Sequence, residues 1–128
     1  MKTKILLIED NEQNRYLATF LLEQGGHAVV QAPNGPAGLD RAGSEGFDLI
    51  LLDIQLPGMD GYAVARALRD LPGLAAVPII GVTSYAMAGD REKALAAGCS
   101  HYIEKPINPE TFVSEVMCHL SASRETRS

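Results

Sequence analysis

The chain has 128 residues, which suits one compact domain with a sizeable apolar core and leaves little room for a second domain. Hydrophobic residues make up 46% and charged residues 21%, a balance that excludes a disordered chain. The net charge is −5, and the sequence has no basic stripe that could neutralise phosphates, so we expect no nucleic-acid partner.

The first apolar run, Ile5–Ile8, is too short for a signal peptide or a membrane span. Acidic residues follow it directly, so this segment predicts neither export nor a membrane anchor. The two cysteines, Cys99 and Cys118, lack paired-cysteine or metal-ligand spacing, which is typical of free thiols in a reducing compartment. We therefore expect a cytoplasmic protein.

Short apolar runs alternate with stretches of helical spacing along the chain. In order, the runs are Ile5–Ile8, Ala28–Val30, Leu49–Leu52, Ile79–Val82 and, weakly, Tyr102–Ile103. The first and third runs are apolar at every position. This pattern is typical of strands that helices cover on both faces of a parallel sheet.

Helical spacing fills the intervals between these runs. Asn11 is the expected N-cap of the first helix, and Gly25-Gly26 ends that helix. Residues 35–44 and 86–97 are expected to form the second and fourth helices. The apolar stripes of the other helices are Leu17, Phe20, Leu21 and Leu22 in the first, Val64, Ala65 and Leu68 in the third, and Phe112, Val113, Val116, Met117 and Leu120 in the last.

The alternation predicts one doubly wound α/β domain. We expect it to span residues 1–123, with a frayed polar tail over residues 124–128. In such sheets, ligands bind beyond the carboxyl ends of the strands. The polar residues that follow the runs are Glu9 and Asp10 after the first, Asp53 after the third, Thr83 and Ser84 after the fourth, and Lys105 after the fifth.

The chemistry of this set is coherent, although each residue alone has an ordinary interpretation as a turn, loop or helix-cap residue. Glu9, Asp10 and Asp53 would form an all-oxygen acidic pocket suited to Mg²⁺. With the cation bound, one carboxylate can act as a nucleophile toward phosphorus. Lys105 and Thr83 would supply the ammonium and the hydrogen-bond donor that the phosphoryl oxygens require.

The chain resembles the response-regulator (CheY-like) receiver domains in four segments that cover essentially its whole length. These segments are Ile8-Glu9-Asp10-Asn11, Leu52–Gly61, Val82-Thr83-Ser84 and Lys105-Pro106, in the family's order and spacing. Within the family, the chain looks like single-domain regulators of the DivK type and receiver modules of hybrid histidine kinases. The resemblance implies a flavodoxin-like fold, with a five-stranded parallel sheet in the order 2-1-3-4-5 flanked by five helices.

The resemblance also implies the roles of the site residues. Asp53 would accept a phosphoryl group from a histidine kinase or a histidine phosphotransferase. Glu9, Asp10, Asp53 and the backbone carbonyl of Gln55 would hold Mg²⁺. Thr83, Ser84 and Lys105 would contact the phosphoryl group, and Pro106 would follow a cis peptide bond.

Further implied roles concern switching. Thr83 and Tyr102 would move on phosphorylation and remodel the face formed by the fourth helix, fifth strand and fifth helix, where a downstream protein would bind. Gln55 and Tyr85 are hypothesised to set the lifetime of the phosphoaspartate by shielding it from water. The chain would be a signalling domain and not an enzyme, with self-catalysed phosphotransfer and autodephosphorylation.

Other functions fit these residues less well. A phosphatase of the haloacid dehalogenase type needs an aspartate where this chain has Gln55. The phosphate loop of an FMN-binding flavodoxin is replaced by acidic Glu9–Glu12, and the P-loop motif is absent. His119 is the one histidine to consider as a phosphodonor, and helix packing is its better interpretation.

An unphosphorylated pseudo-receiver that only binds other proteins is the alternative that the residues leave open. Met1 and the short polar tail favour a complete single-domain protein over a fragment of a hybrid kinase.

Overall fold

The computed structural model describes residues 3–56, 60–83 and 89–127, with side chains described for all of these except residues 90, 91 and 122–127. Strands and helices alternate along these ranges. They are β1 Lys4–Ile8, α1 Glu12–Gln24, β2 Ala28–Ala32, α2 Gly35–Ser44, β3 Leu49–Asp53, α3 Gly61–Asp70, β4 Ile79–Thr83, α4 Asp90–Ala96, β5 His101–Glu104 and α5 Phe112–Arg127.

The five strands form one parallel sheet in the order β2-β1-β3-β4-β5, which confirms the predicted doubly wound fold. Strands β3 and β4 are buried at every residue because helices cover both faces of the sheet. No helix in the described part of the chain is long and apolar enough to cross a bilayer.

Successive side chains of each strand point to opposite faces of the sheet, and this divides the core into two layers. Leu6, Ile8 and Leu52 point toward α2, α3 and α4, whereas Ile5 and Leu51 point toward α1 and α5. Each buried leucine or isoleucine contributes roughly 1.5–3 kcal/mol by leaving water. The two layers therefore fix the register of the central strands, since a one-residue slip would exchange their faces.

Short polar side chains begin the first three helices. The Asn11 side chain accepts from the Asn14 N–H at 2.9 Å, as predicted for the cap of α1. Asn34 and Asp60 accept from the N–H groups of Ala37 and Tyr62 in the same way, at 2.8 and 2.7 Å. These caps fix where each helix starts after the loop that leaves the sheet edge.

The apolar stripe of α1 differs from the prediction. Ala18 and Leu22 are buried, whereas Phe20 is 49% exposed and stacks on Tyr16, which is 70% exposed. Residues 18 and 22 are four positions apart and face the sheet together, so residue 20 between them points to the opposite side of the helix. Including Phe20 in the buried stripe was wrong.

Two helix boundaries also differ from those expected. The fourth helix is expected over residues 86–97, and its described part runs from Asp90 to Ala96, while residues 86–88 of the expected helix lie outside the described residues. The last helix continues to Arg127, through the segment for which a frayed tail is expected. Neither glycine nor proline occurs among residues 121–127, so nothing in this stretch ends the helix.

One glycine controls how α3 follows β3. The Gly61 N–H donates to the carbonyl of Ile54 at 2.9 Å, and a Cβ at Gly61 would lie 2.6 Å from that carbonyl oxygen and 2.8 Å from the carbonyl oxygen of Asp53. Only glycine permits this approach, because the neighbouring atoms belong to the backbone.

We expect Gly61→Ala to lower the free energy of unfolding by about 1–3 kcal/mol, since the loop after β3 must move to admit the methyl group. Gly43→Ala in α2 is the matched control, because a Cβ there meets nothing within 4 Å. The control should gain up to about 1 kcal/mol from helix propensity. Urea unfolding followed by circular dichroism measures both, and equal effects would contradict the packing account.

Candidate functional site

The polar residues predicted from the sequence lie where the central strands end. Asp53 and Thr83 are the last residues of β3 and β4, and they are only 3% and 2% exposed. Glu9 directly follows β1 and is also buried. Backbone bonds continue the sheet past these ends, from the Glu9 N–H to Ala32 at 3.1 Å and from the Lys105 N–H to Thr83 at 2.7 Å. The site therefore rests on the rigid sheet.

Three carboxylates form the acidic part of the site. One oxygen from each of Glu9, Asp10 and Asp53 lies within 4.8 Å of the other two. Within the described ranges, no other group of three or more His, Cys, Asp or Glu residues has this geometry. Asp10 is exposed, so the pocket opens to solvent on its side.

Lys105 provides the positive charge of the site. Its Nζ lies 2.9 Å from Oε1 of Glu9 and 3.3 Å from Oδ2 of Asp53, and its side chain is 13% exposed. Burial alone would lower the pKa of Lys105, but the hydrogen bond to Glu9 and the charge of Asp53 raise that pKa above its usual value. Lys105 is therefore a fixed ammonium between two carboxylates.

The crowding also changes the acidity of Glu9. Burial is the main reason that the pKa of Glu9 rises from 4.5 to about 7, and the hydrogen bond with Asp53 is the second. The hydrogen bond with Lys105 acts in the opposite direction and lowers this pKa. One ammonium cannot neutralise three neighbouring carboxylates. A hard divalent cation would relieve this repulsion, and the all-oxygen donor set fits Mg²⁺, which needs one or two carboxylates and keeps several waters.

Two contacts around Glu9 hold the loop after β1 in place. The Asn11 N–H donates to Oε2 of Glu9 at 3.2 Å, while Lys105 contacts the other carboxylate oxygen. The Arg15 guanidinium donates to the Glu9 carbonyl at 3.0 Å. Sequence reasoning missed Arg15, because an arginine within a helix gives no sign that it reaches back to the loop before that helix.

Gln55 connects the carboxylate of β3 to the hydroxyl of β4. Its backbone N–H donates to Oδ1 of Asp53 at 2.9 Å, and its side-chain Nε2 donates to Oγ1 of Thr83, also at 2.9 Å. The sequence predicts a role for the Gln55 carbonyl in metal binding and for its side chain in shielding. It gave no indication of the bond to Thr83, because the two residues are 28 positions apart.

The remaining predicted residues lie around this centre. The Lys105–Pro106 peptide bond is cis. Tyr102 is half-buried and packs against the core layer that contains α4. Ser84 and Tyr85 lie outside the described residues. A cavity of about 360 Å³ adjoins Lys105, and it is lined by Asn14, Leu17, Lys105, Pro106 and Ile107.

The histidines are not part of the described site. His101 at the start of β5 stacks on His119 of α5, with ring centroids 4.3 Å apart and planes 17° apart. Burial lowers the pKa of His119. Packing between β5 and α5 accounts for this pair, in agreement with the helix-packing interpretation.

Comparison with known proteins identifies the family. The response regulator receiver domain family matches residues 5–117, so the chain belongs to that family. The polar-differentiation response regulator DivK of Brucella anthropi is 39% identical over 120 residues, which cover 94% of this chain and 98% of that protein. DivK of Brucella abortus is 38% identical with the same coverage. The chain is thus a DivK-type, CheY-like receiver of two-component signalling.

Solved structures agree with this assignment. The receiver domain of a sensor histidine kinase from Pseudomonas aeruginosa has a TM-score of 0.86 and 32% identity, covering 94% of this chain and 99% of that one. That structure has a magnesium ion coordinated in its active-site cleft. A CheY-like receiver domain protein from Methanospirillum hungatei has a TM-score of 0.89 and 28% identity, covering 98% and 99%.

The acidity of Glu9 predicts how Mg²⁺ binding depends on pH. Without a cation, the raised pKa means that Glu9 contributes stability below pH 4.5, and this contribution is lost as the pH rises through about 7. Mg²⁺ needs the deprotonated carboxylate, so we expect its affinity to fall by up to about tenfold per pH unit below pH 7 and to level off above it.

Isothermal titration with Mg²⁺ at several pH values measures this dependence. Glu9→Gln should bind more weakly and with a flatter profile, whereas Glu23→Gln, at an exposed position late in α1, should behave as the wild type. A wild-type affinity that is equal at pH 6 and pH 8 would contradict the role of Glu9.

Proposed function

We propose that Asp53 is the phosphoryl acceptor of this receiver and that a phosphohistidine of a histidine kinase or histidine phosphotransferase is the donor. The observation that supports this most is the surroundings of the Asp53 carboxylate. It is buried at a strand end, 3.3 Å from Lys105, and forms a carboxylate cluster with Glu9 and Asp10. Glu9, Asp10, Asp53 and the Gln55 carbonyl are the proposed Mg²⁺ ligands.

The transfer exchanges one bond for another. An oxygen of the Asp53 carboxylate attacks phosphorus while the P–N bond to the donor imidazole breaks, and the imidazole nitrogen keeps the electron pair. The Lys105 ammonium leaves Asp53 and pairs with a phosphoryl oxygen, and Thr83 and Ser84 donate to the others. A Mg²⁺ ion held by the carboxylate cluster would further neutralise the phosphoryl oxygens.

The same residues would return the domain to its resting state. In the proposed autodephosphorylation, water attacks phosphorus and the acyl oxygen of Asp53 leaves as a carboxylate, so Asp53 is regenerated. Gln55 and Tyr85 are proposed to set the lifetime of the phosphoaspartate. The exposed free thiol of Cys118 is compatible with the cytoplasm, where we place this reaction.

The proposed output is a change in the face formed by α4, β5 and α5, where a downstream protein would bind. Thr83 ends β4, and its carbonyl accepts from the N–H of Lys105 just after β5, so the two strand ends are coupled. Tyr102 pairs in register with Gly81 of β4 and packs, half-buried, against the core layer that contains α4. These contacts favour Tyr102 and Thr83 as the residues that move.

We expect incubation with acetyl phosphate and Mg²⁺ to add the mass of one phosphoryl group to the wild type. The gain should disappear without Mg²⁺ and in Asp53→Asn. Asp48→Asn, at an exposed position before β3, is the matched control and should gain mass normally. Intact-mass spectrometry reads all four reactions.

No mass gain in the wild type under any of these conditions would overturn the proposed phosphorylation and favour the pseudo-receiver alternative. A gain that persists in Asp53→Asn would show that another residue is the acceptor.

Addition of beryllium fluoride, a phosphoryl analogue, with Mg²⁺ should change hydrogen exchange in β5 and α5, because Thr83 and Tyr102 are proposed to transmit the signal to that face. The α2 helix packs against β1 and β2, away from the β5 edge of the sheet. It is the internal reference, and its hydrogen exchange should change little. Equal protection of all helices would indicate general stabilisation and contradict a switched face.

A further inference from the structure

We propose that the side-chain amide of Gln55 is a positioning group that orients the Thr83 hydroxyl toward a phosphoryl group on Asp53. This inference rests on the proposed function of Asp53. It assigns Gln55 an action through Thr83, in place of the direct shielding of the phosphoaspartate from water. The carrying observation is that Gln55 contacts both functional side chains, by its backbone N–H to Asp53 and by Nε2 to Thr83, each at 2.9 Å.

The direction of the bond between Gln55 and Thr83 is important. A hydroxyl has one proton to donate and two lone pairs to accept with. Because Nε2 of Gln55 is the donor, the bond occupies a lone pair of Oγ1 and does not consume the Thr83 proton. A phosphoryl oxygen on Asp53 would be a strong acceptor for that proton.

Burial makes this orientation effective. Thr83 is 2% exposed and Asp53 is 3% exposed, so few waters can compete for the hydroxyl or the carboxylate. A hydroxyl that accepts one hydrogen bond also donates more strongly through its own proton. Gln55 would therefore both aim the Thr83 O–H and polarise it.

The hydrogen bond from Gln55 to Asp53 keeps the Gln55 amide and the Thr83 hydroxyl close to the acceptor carboxylate. The Gln55 N–H holds Oδ1 of Asp53, so the residue that orients the hydroxyl is anchored on the carboxylate that receives the phosphoryl group. Thr83 is in turn bonded through its carbonyl to the N–H of Lys105. Gln55, Thr83 and Lys105 thus form a connected set around Asp53.

The test is a double-mutant cycle with beryllium fluoride and Mg²⁺ as the probe. Gln55→Met removes the amide at similar side-chain length, and Thr83→Val removes the hydroxyl at similar shape. We expect Gln55→Met to weaken beryllium fluoride binding by about three- to tenfold, the usual effect of one hydrogen bond. The double variant should bind no more weakly than Thr83→Val alone, because Gln55 acts only through the hydroxyl.

A second background and a matched control separate positioning from a structural role. Thr83→Ser keeps the hydroxyl, so the effect of Gln55→Met should return in that background. Gln31→Met is the control, since Nε2 of Gln31 donates to Oγ1 of Thr19 at the same 2.9 Å on the exposed surface. It should leave beryllium fluoride binding unchanged.

The outcomes distinguish the inference from the function on which it rests. If the wild type binds beryllium fluoride but the Gln55 and Thr83 losses add, Gln55 acts independently of Thr83 and the inference fails while the function stands. An unaltered affinity in Gln55→Met overturns it equally. If the wild type binds no beryllium fluoride with Mg²⁺, both the function and the inference fail.

Discussion

The structure depends most on the crowding of three carboxylates around one ammonium at the carboxyl edge of the sheet. Glu9 and Asp53 are nearly inaccessible to water, and Lys105 lies between them. Burial of the carboxyl group, followed by its hydrogen bond with Asp53, raises the pKa of Glu9 to about 7, and the charge of Asp53 adds to the shift. The domain therefore folds around an excess of negative charge that a divalent cation can relieve.

The fold imposes this crowding through the sheet. Central strands with apolar residues on both faces can only place polar groups where the strands end, and parallel strands end at the same edge. Close approach of Gly61 to the backbone after β3 fixes how the chain leaves that edge. Polar caps such as Asn11 and Asp60 then start the helices immediately beyond the site. Packing thus determines the positions from which Asp53 and its neighbours act.

Much of this could be predicted from the sequence because the signals are local. Uninterrupted apolar runs identified the buried strands, and the residue after each run identified the edge of the sheet. The strand order came from the resemblance to receiver domains, since periodicity alone does not say which strands are neighbours. The comparisons confirm the family and the fold, and the roles assigned to Asp53 and the other site residues remain predictions.

What could not be predicted depends on side-chain direction and long-range contacts. Phe20 was placed in the buried stripe of α1 because apolar residues were counted, whereas the helix rotates it away from Ala18 and Leu22. Arg15 reaches the Glu9 carbonyl, and Gln55 reaches Thr83 from another strand end. Neither contact leaves a sequence pattern, because each depends on the path of a loop and on one side-chain conformation.

Asp53, and no other carboxylate of the cluster, is the proposed phosphoryl acceptor at the crowded edge of the sheet. Reduction of the phosphorylated protein with borohydride converts an acyl phosphate on aspartate to homoserine, which tandem mass spectrometry can locate in the sequence. Homoserine is expected at position 53 alone. Homoserine at position 10, or no reduced residue in protein that carries a phosphoryl group, would contradict it.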